Sequence, residues 1–275
     1  MVRIEMLAVG RELLIGRTVN TNAHWIGKRL ALMGSMLARV ATVDDDLEEI
    51  SSATREALSR RPDYLLVAGG LGPTPDDMTL NGVAKGVNRG IGLNRLALKQ
   101  IRDHYTKAGR GDFKITPARR KMAMLPDRAT PMPNRIGTAP GVRIQEGTTV
   151  IFCLPGVPAE MKSIFARSAE PEIRSRVGRL FRKAARLKLE RIYESALAPM
   201  IARELKRHPG AYIKSHPKGV KRGLSRIELD VVVVSEEEEL AQKSVVEIVS
   251  EFRAGILSAG GEIKSMKGVE IGGTG

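Results

Sequence analysis

Residues Tyr64–Ala68 read Tyr-Leu-Leu-Val-Ala, an apolar run with no polar alternation that leads straight into Gly-Gly-Leu-Gly. A short run of this kind suits a strand buried on both faces, so it demands neighbouring strands and covering helices on either side. The first 178 residues supply them: a β-rich run Arg3–Val9, an amphipathic helix Asn22–Met33, a strand Met36–Val43, a helix Leu47–Arg60, the run itself, and a helical stretch from about Met78. This βαβαβα rhythm predicts a mostly parallel sheet between two helical layers, a three-layer α/β/α architecture.

Punctuation residues mark the remaining boundaries. Gly34 follows the last periodic residue of the first helix, where a left-handed cap is favoured, and Pro62 blocks continuation of the second. Asp44–Asp46 offer N-caps for the helix that starts at Leu47. From Asn94 to Pro126 the pattern is helical but irregular, broken by Gly109–Gly111 and by Pro117, which suits a first helical turn; a helical excursion on the sheet edge is expected. Arg128–Gly141, rich in Pro, Gly, Asn and Thr, reads as an ordered loop. Val142–Gln145 and Thr149–Leu154 form a hairpin about Glu146–Gly147, and a helix from Pro158 closes the domain near Val177.

Beyond that point the order is strand Leu187–Tyr193, helix Ser195–His208, strands Ala211–Ser215 and Ser225–Val234, and helix Glu236–Ser258. A βαββα order predicts a small two-layer α+β domain over residues 179–265, after a first domain of residues 1–178 and before a frayed tail, 266–275. The acidic run Glu236–Glu239 complements the dipole of the last helix and needs no further role.

Charge narrows the partners. The formal net charge is +14, spread over both domains, which steers anionic ligands toward the surface. Aromatics are only 4% and do not interleave with basic stretches, so a stacking platform for nucleic acid is the less favoured use of that charge. No stretch approaches the roughly 20 apolar residues of a membrane span, and the amino terminus reads as a buried strand; a cytoplasmic protein without a membrane partner is expected. Cys153 is the single cysteine and reads as a small buried apolar residue.

The richest stretch is Gly69-Gly70-Leu71-Gly72-Pro73-Thr74-Pro75-Asp76-Asp77-Met78-Thr79. It joins a buried strand to a helix, which in an open α/β sheet is the edge where ligands bind. Glycines there let backbone N–H groups approach a phosphate, and the helix start favours negative charge. Gly69, Gly70, Gly72, Thr74 and Thr79 are therefore phosphate or nucleotide candidates, and Asp77 or Asp76 a holder of a hard cation such as Mg²⁺. The alternative for Asp77 is an N-cap. Neither a Walker loop nor a dinucleotide fingerprint is present, which weakens kinase and NAD readings. Two further turns leave the same edge: Gly10–Gly16 followed by Asn20-Thr21-Asn22, and Cys153–Glu160. Asn20 and Asn22 serve equally well as ligand contacts or helix initiators.

Five segments taken together, Glu12–Gly16, Asn20–Asn22, Gly69–Asp77, Gly137–Gly141 and Leu154–Met161, stand in the order of the competence/damage-inducible CinA family, which this chain resembles over about residues 1–178. The resemblance implies a fold shared with MoaB- and Mog-like molybdopterin-binding proteins, whose glycine loop and following aspartate bind pterin phosphate or nucleotide and metal. It makes Asp77 the first metal candidate, matches Asp44 to an acidic position after the second strand, and places Gly10, Gly141 and Gly156 among the ligand-binding turns. It also implies a homo-oligomer, and metal-dependent ADP-ribose pyrophosphatase activity with Mg²⁺, or with Mn²⁺ or Co²⁺. The amidohydrolase domain of many bacterial members has no room in 275 residues, and its deamidase activity is not carried over. Arg11 departs from the small or acidic residue usual before Glu12.

The reaction expected is cleavage of a nucleoside diphosphate-linked substrate, with the metal polarising the pyrophosphate. Asp77 holds the metal, Glu12 or Glu160 orients water, and Lys121 or Arg119 neutralises phosphate. Two rivals use the same residues: adenylyl transfer to molybdopterin or a flavin precursor, and a non-catalytic nucleotide-, pterin- or nucleic-acid-binding module.

Overall fold

The computed structural model describes residues 2–107, 114–221 and 223–268. Two compact units emerge, one of Met1–Ala31 with Ser35–Gly178, the other of Leu32–Gly34 with Arg179–Gly275. The first opens with β1 (Ile4–Val9), α1 (Arg11–Leu14), α2 (Thr21–Ala31), β2 (Leu37–Val43), α3 (Leu47–Ser59), β3 (Tyr64–Ala68) and α4 (Thr79–Gly86), the rhythm read from the sequence. It continues with β4 (Ile91–Leu93), α5 (Arg95–Lys107), α6 (Pro117–Lys121), β5 (Met124–Pro126), β6 (Thr130–Met132), β7 (Gly141–Glu146), β8 (Thr149–Leu154), α7 (Pro158–Ile164), a π turn (Phe165–Ala169) and α8 (Glu170–Val177).

Among the described residues the main sheet runs in the order β2-β1-β3-β8-β7-β6. β2, β1, β3 and β8 are parallel, and β7 and β6 antiparallel. The chain leaves β1 for β2 on one side and returns to β3 on the other, which makes the carboxyl ends of β1 and β3 a topological switch point, the usual seat of a ligand. Both strands are buried along their whole length, β3 as an all-apolar run and β1 with the single acid Glu5.

Successive side chains of each strand serve opposite helical layers. Leu7, Val9, Leu65 and Val67 join Ile50 and Ala57 of α3, Leu80 and Val83 of α4, and Ala97 and Ile101 of α5 in one core. On the alternate face Tyr64 stacks on Phe152 with centroids 6.0 Å apart and donates its hydroxyl to the Glu172 carbonyl of α8 at 3.1 Å. Trp25 of α2 there meets Phe165 edge-on at 5.7 Å. Asp46 caps α3 by accepting from the N–H groups of Glu48 and Glu49, one of the three candidates named by the sequence.

The second unit contains β9 (Phe181–Glu190), α9 (Glu194–Arg207), β10 (Ala211–Lys221), β11 (Leu224–Ser235), α10 (Glu238–Ser258) and β12 (Glu262–Lys267). Its antiparallel sheet has the order β10-β11-β9-β12 among the described residues. Leu187, Leu189, Leu229 and Val231 pack with Val245, Ile248, Val249 and Phe252 of α10.

Several boundaries depart from the sequence reading. The stretch Asn94–Pro126 includes β5, which with β4 just before it makes a two-stranded ribbon too short to carry a periodicity. The expected loop Arg128–Gly141 holds the edge strand β6, paired with β7 despite Pro131 within it and Pro133 after it. β9 starts at Phe181 rather than Leu187, because Arg182, Arg186 and Lys188 are exposed and mask the alternation. β12 adds a strand to the expected βαββα order and takes residues 266 and 267 out of the tail; its mostly polar sequence is that of a sheet edge. Gly109–Gly111 and residues 269–275 of the expected tail lie outside the described residues. No helix among the described residues is long and apolar enough to cross a membrane.

Candidate functional site

What lies beneath the turn after β3 dictates its residues. Gly69 takes φ 122°, and a Cβ there would overlap the Val9 carbonyl oxygen at the end of β1; Gly70 takes φ 58° directly above the Thr79 hydroxyl. At Gly69 only glycine fits, and at Gly70 the left-handed backbone favours glycine, with a Cβ also overlapping the Thr79 hydroxyl. Thr79 is fully buried, and its N–H donates to the Gly70 carbonyl at 3.2 Å. Its hydroxyl lies buried beneath the turn without a hydrogen-bond partner, and Thr79 is not among the residues that line the cleft.

Asp77 is not a helix cap, since α4 begins after Met78 without any side-chain cap. Its carboxylate turns back into the loop, where Oδ2 accepts from the Thr74 N–H at 2.8 Å and the Thr74 hydroxyl at 2.6 Å. Lys121, on α6, donates its ammonium to the carbonyls of Asp77 at 2.7 Å, Gly72 at 3.4 Å and Thr74. Burial pushes this ammonium below the usual lysine range, with Asp77 and Asp76 pulling it back up. The loop carbonyls are thereby tied off. Among the described residues, the N–H groups of Gly70, Leu71 and Gly72 have no acceptor within the protein.

A cleft of about 470 Å³ opens in front of these amides, lined by Gly70, Leu71, Gly72 and Asp77 on one side. Pro155, Gly156 and Val157 after β8, with Glu160 of α7, form another wall. Asn134 holds Glu160 in place: its Nδ2 donates to Glu160 Oε2 at 2.6 Å and to the Ala139 carbonyl at 2.9 Å, while its Oδ1 accepts from the N–H groups of Ile136 and Gly137. Tyr105 of α5, with the Arg119 guanidinium 3.9 Å over its ring, and Met122 complete the lining with Thr138 and Ala139. Arg119 thus stacks instead of standing free to meet phosphate, and it also donates to the Lys114 carbonyl at 2.8 Å.

The exit from β1 builds a smaller pit of about 100 Å³, which shares Gly156 with the cleft and is lined by Glu12, Asn20, Asn22, Val9 and Ala68 among others. Asn20 Oδ1 accepts from the Ala23 N–H at 2.9 Å and so starts α2; Asn22 instead donates its Nδ2 to the Gly156 carbonyl at 2.8 Å, joining the first and last of the three turns. Asp44 is engaged by Arg11, whose Nε and second guanidinium nitrogen reach it at 2.9 and 2.7 Å. The Arg11 hydrogen bond holds Asp44 below the ordinary carboxylate range. Burial raises the neighbouring Asp45, and the nearby charges of Glu12, Asp44 and Asp76 add to that rise.

Of the residues singled out by the sequence, Gly70, Gly72, Asp77, Gly156 and Glu160 meet at the cleft. Thr74 orients Asp77, and Glu12, Asn20 and Asn22 lie at the pit. Gly10 and Gly69 are buried under the turns. Gly141 opens β7, packed against Ile164 and Met132, and is not among the residues that line the cleft. Asp76 is exposed and does not line the cleft. Tyr105, Asn134 and the clamping role of Lys121 escape the sequence, because nothing local distinguishes them from an amphipathic helix, a loop amide or a solvated basic face.

Comparison with known proteins follows this geometry. A family profile described as a probable molybdopterin binding domain matches residues 5–175. A protein of Pyrobaculum arsenaticum is 39% identical over 243 residues, 88% of this chain and 90% of that one. A protein of Aeropyrum pernix is 38% identical over 261 residues, 95% of this chain and 96% of that one. Among solved structures, CinA of Thermoplasma acidophilum, described as of unknown function, is 40% identical and superposes with a TM-score of 0.56 over 62% of this chain and 98% of that one.

Proposed function

Because the chain belongs to the molybdopterin-binding domain family, we propose that its cleft holds a nucleotide- or pterin-type phosphate and that the protein hydrolyses nucleoside diphosphate-linked substrates such as ADP-ribose with a divalent metal. The observation that carries this reading is that Gly70, Leu71 and Gly72 line the cleft with N–H groups that have no acceptor among the described residues, in a loop whose Gly72, Thr74 and Asp77 carbonyls are tied to Lys121. Consecutive amides with no protein acceptor are a ready anion site.

The donor set fits a particular kind of metal binding. Among the described residues no three of His, Cys, Asp and Glu gather to hold an ion by themselves. Among the described residues Asp77 Oδ1 has no hydrogen-bond partner, and one carboxylate together with substrate phosphates is how Mg²⁺ is commonly bound. When bound, the ion would neutralise charge on the pyrophosphate and polarise it.

Hydrolysis joins a water oxygen to one phosphorus while the bridging P–O bond breaks, giving two phosphomonoesters. Among the described residues Glu160 has Oε2 fixed by Asn134 and no partner at Oε1, so it is the residue suited to orient that water and take its proton. Glu12 lies in the pit and is the weaker choice. The glycine turn positions the phosphate, and Tyr105, Leu71 and Met122 give the cleft apolar lining for the ring.

The test is incubation of the protein with ADP-ribose and Mg²⁺, Mn²⁺ or Co²⁺, with chromatography of the products. AMP and ribose 5-phosphate are expected only with metal, and Asp77→Asn lowers the rate by about 100-fold or more. Unchanged turnover in that variant refutes the assignment. The family description, of molybdopterin binding, supports a second reading in which the cleft holds a pterin phosphate, and transfer of AMP from ATP to that phosphate is its reaction. Release of pyrophosphate from ATP with molybdopterin, and no cleavage of ADP-ribose, would select it.

A further inference from the structure

The edge of a sheet presents a row of unpaired N–H and C=O groups, and proteins blunt such edges with proline, charge, bulges or brevity. Among the described residues, three of the four edges of the two larger sheets are blunted in this way. β6 has three residues, with Pro131 within it and Pro133 after it. β10 carries Pro217, a register break beside it, and the exposed Lys214 and Lys218. β12 has a register break between Ile263 and Ser265 and the exposed cations Lys264 and Lys267. β2 is the exception. It runs from Leu37 to Val43 without proline, with Arg39 as its single charge and its one register break at Ala38. Arg39–Val43 then pair regularly with Glu5–Val9, and Ala38, Arg39, Val40 and Ala41 are all exposed.

Exposed apolar side chains continue this strip at both ends. Met36, 62% exposed, precedes the strand. At the far end the Gly10 N–H donates to the Val43 carbonyl at 3.1 Å and α1 packs against β2, which sets Leu14 and Ile15, 52% and 68% exposed, beside the end of the strand. Apolar side chains gathered along an open strand mark an interaction site.

The strip is complementary to itself. Laid antiparallel on a second β2 across a two-fold axis, it brings Met36 of one copy to the end where Leu14 and Ile15 of the other stand, once on each side of the axis. Charge agrees with this arrangement. Arg39 has no ion pair or hydrogen bond among the described residues, and it lines a recess with Ala41 and with Glu56 of α3. Glu49 lies on the same row of that helix, two turns earlier, so Arg39 of the second copy arrives on a side lined by acids.

We propose that β2 is the seam of a homodimer, its outer edge paired antiparallel with β2 of a second copy to make one continuous sheet. Two-fold pairing closes on itself and ends at two chains, since the far edge of each sheet is the blunted β6. The seam is independent of what the cleft binds.

Light scattering after size exclusion of the full chain, at high micromolar concentration, should return twice the 30.0 kDa chain mass. Close to the axis the two Val40 side chains are direct or diagonal neighbours. Val40→Lys and Val40→Asp should therefore each give monomers with unchanged circular dichroism, and their equimolar mixture should recover the dimer. Met36→Ser, at an exposed site that leaves folding intact, should weaken the dimer about tenfold or more. A native monomer, a trimer or other assembly without a two-fold, charge variants that keep the dimer mass, a mixture that stays monomeric, or a Met36→Ser dimer of native affinity overturns the proposal.

Discussion

Replacing Lys121 by methionine separates two roles that one lysine beside a phosphate site can play. In the structure its ammonium serves the carbonyls of Gly72, Thr74 and Asp77, so methionine removes three charge-assisted hydrogen bonds while keeping most of the apolar stem. Each such bond is worth about 1.5–3 kcal/mol when well buried. The group is partly solvated, and the burial that lowers its pKa shows that desolvation offsets part of the gain, so a net of about 2 kcal/mol is expected. If the loop unfolds with its domain, the melting temperature falls by about 4–8 °C. Where the loop must instead be ordered by the ligand, the same energy appears as a roughly 30-fold weaker affinity for ADP. Lys121→Arg decides between clamp and phosphate neutraliser. A planar guanidinium cannot point donors at three carbonyls around one nitrogen, so arginine should fail to restore affinity. Restoration by arginine, or a loss in Lys121→Met that disappears at high salt, would show that the charge acts on the ligand and refute the clamp.

Three further outcomes follow from the same geometry. Gly69→Ala forces a Cβ onto the Val9 carbonyl at φ 122° and should destabilise the domain by about 3 kcal/mol or more, measured by denaturant titration; a shift under about 1 kcal/mol would mean the turn relaxes freely. Asn134→Ala should lower kcat for ADP-ribose by about tenfold by releasing Glu160, and an unchanged kcat would dismiss Glu160 as the group that orients water. Burial works against the Glu5 carboxylate, but hydrogen bonds from Arg60 and Arg3 outweigh it and lower its pKa. Its stabilising contribution is therefore complete above the ordinary carboxylate pKa and is lost as pH falls through the folded value. Glu5→Gln should cost about 2 kcal/mol at pH 7 and flatten the acid limb of the stability curve, and equal acid loss in both proteins would contradict this.

Much of the framework is legible along the chain because its causes are local. The apolar run Tyr64–Ala68 is buried throughout, the rhythm before it yields the strands and helices in the expected order, and Asp46 caps α3 where a cluster of acids precedes a periodic segment. The glycine turn stands where a strand meets a helix, and Gly70, Gly72, Asp77, Gly156 and Glu160 converge on one cleft. Elements without a clear period, β4, β5, β6 and β12, went unseen, since pairing with a neighbour and not residue pattern makes them strands.

Conformational demands that act within a few residues, such as hydrophobic period, glycine at positive φ and helix capping, were thus determined by the sequence itself. Which distant side chains would meet was decided only by the order of the sheet. Lys121 closes on a loop 44 to 49 residues away, Arg11 occupies Asp44, and Asn134 reaches across to Glu160. Those pairings convert a cap candidate into a loop staple, a phosphate contact into a clamp, and an anonymous loop amide into the support of the candidate base. They depend on strands far apart in sequence lying side by side, a relation that no window along the chain contains.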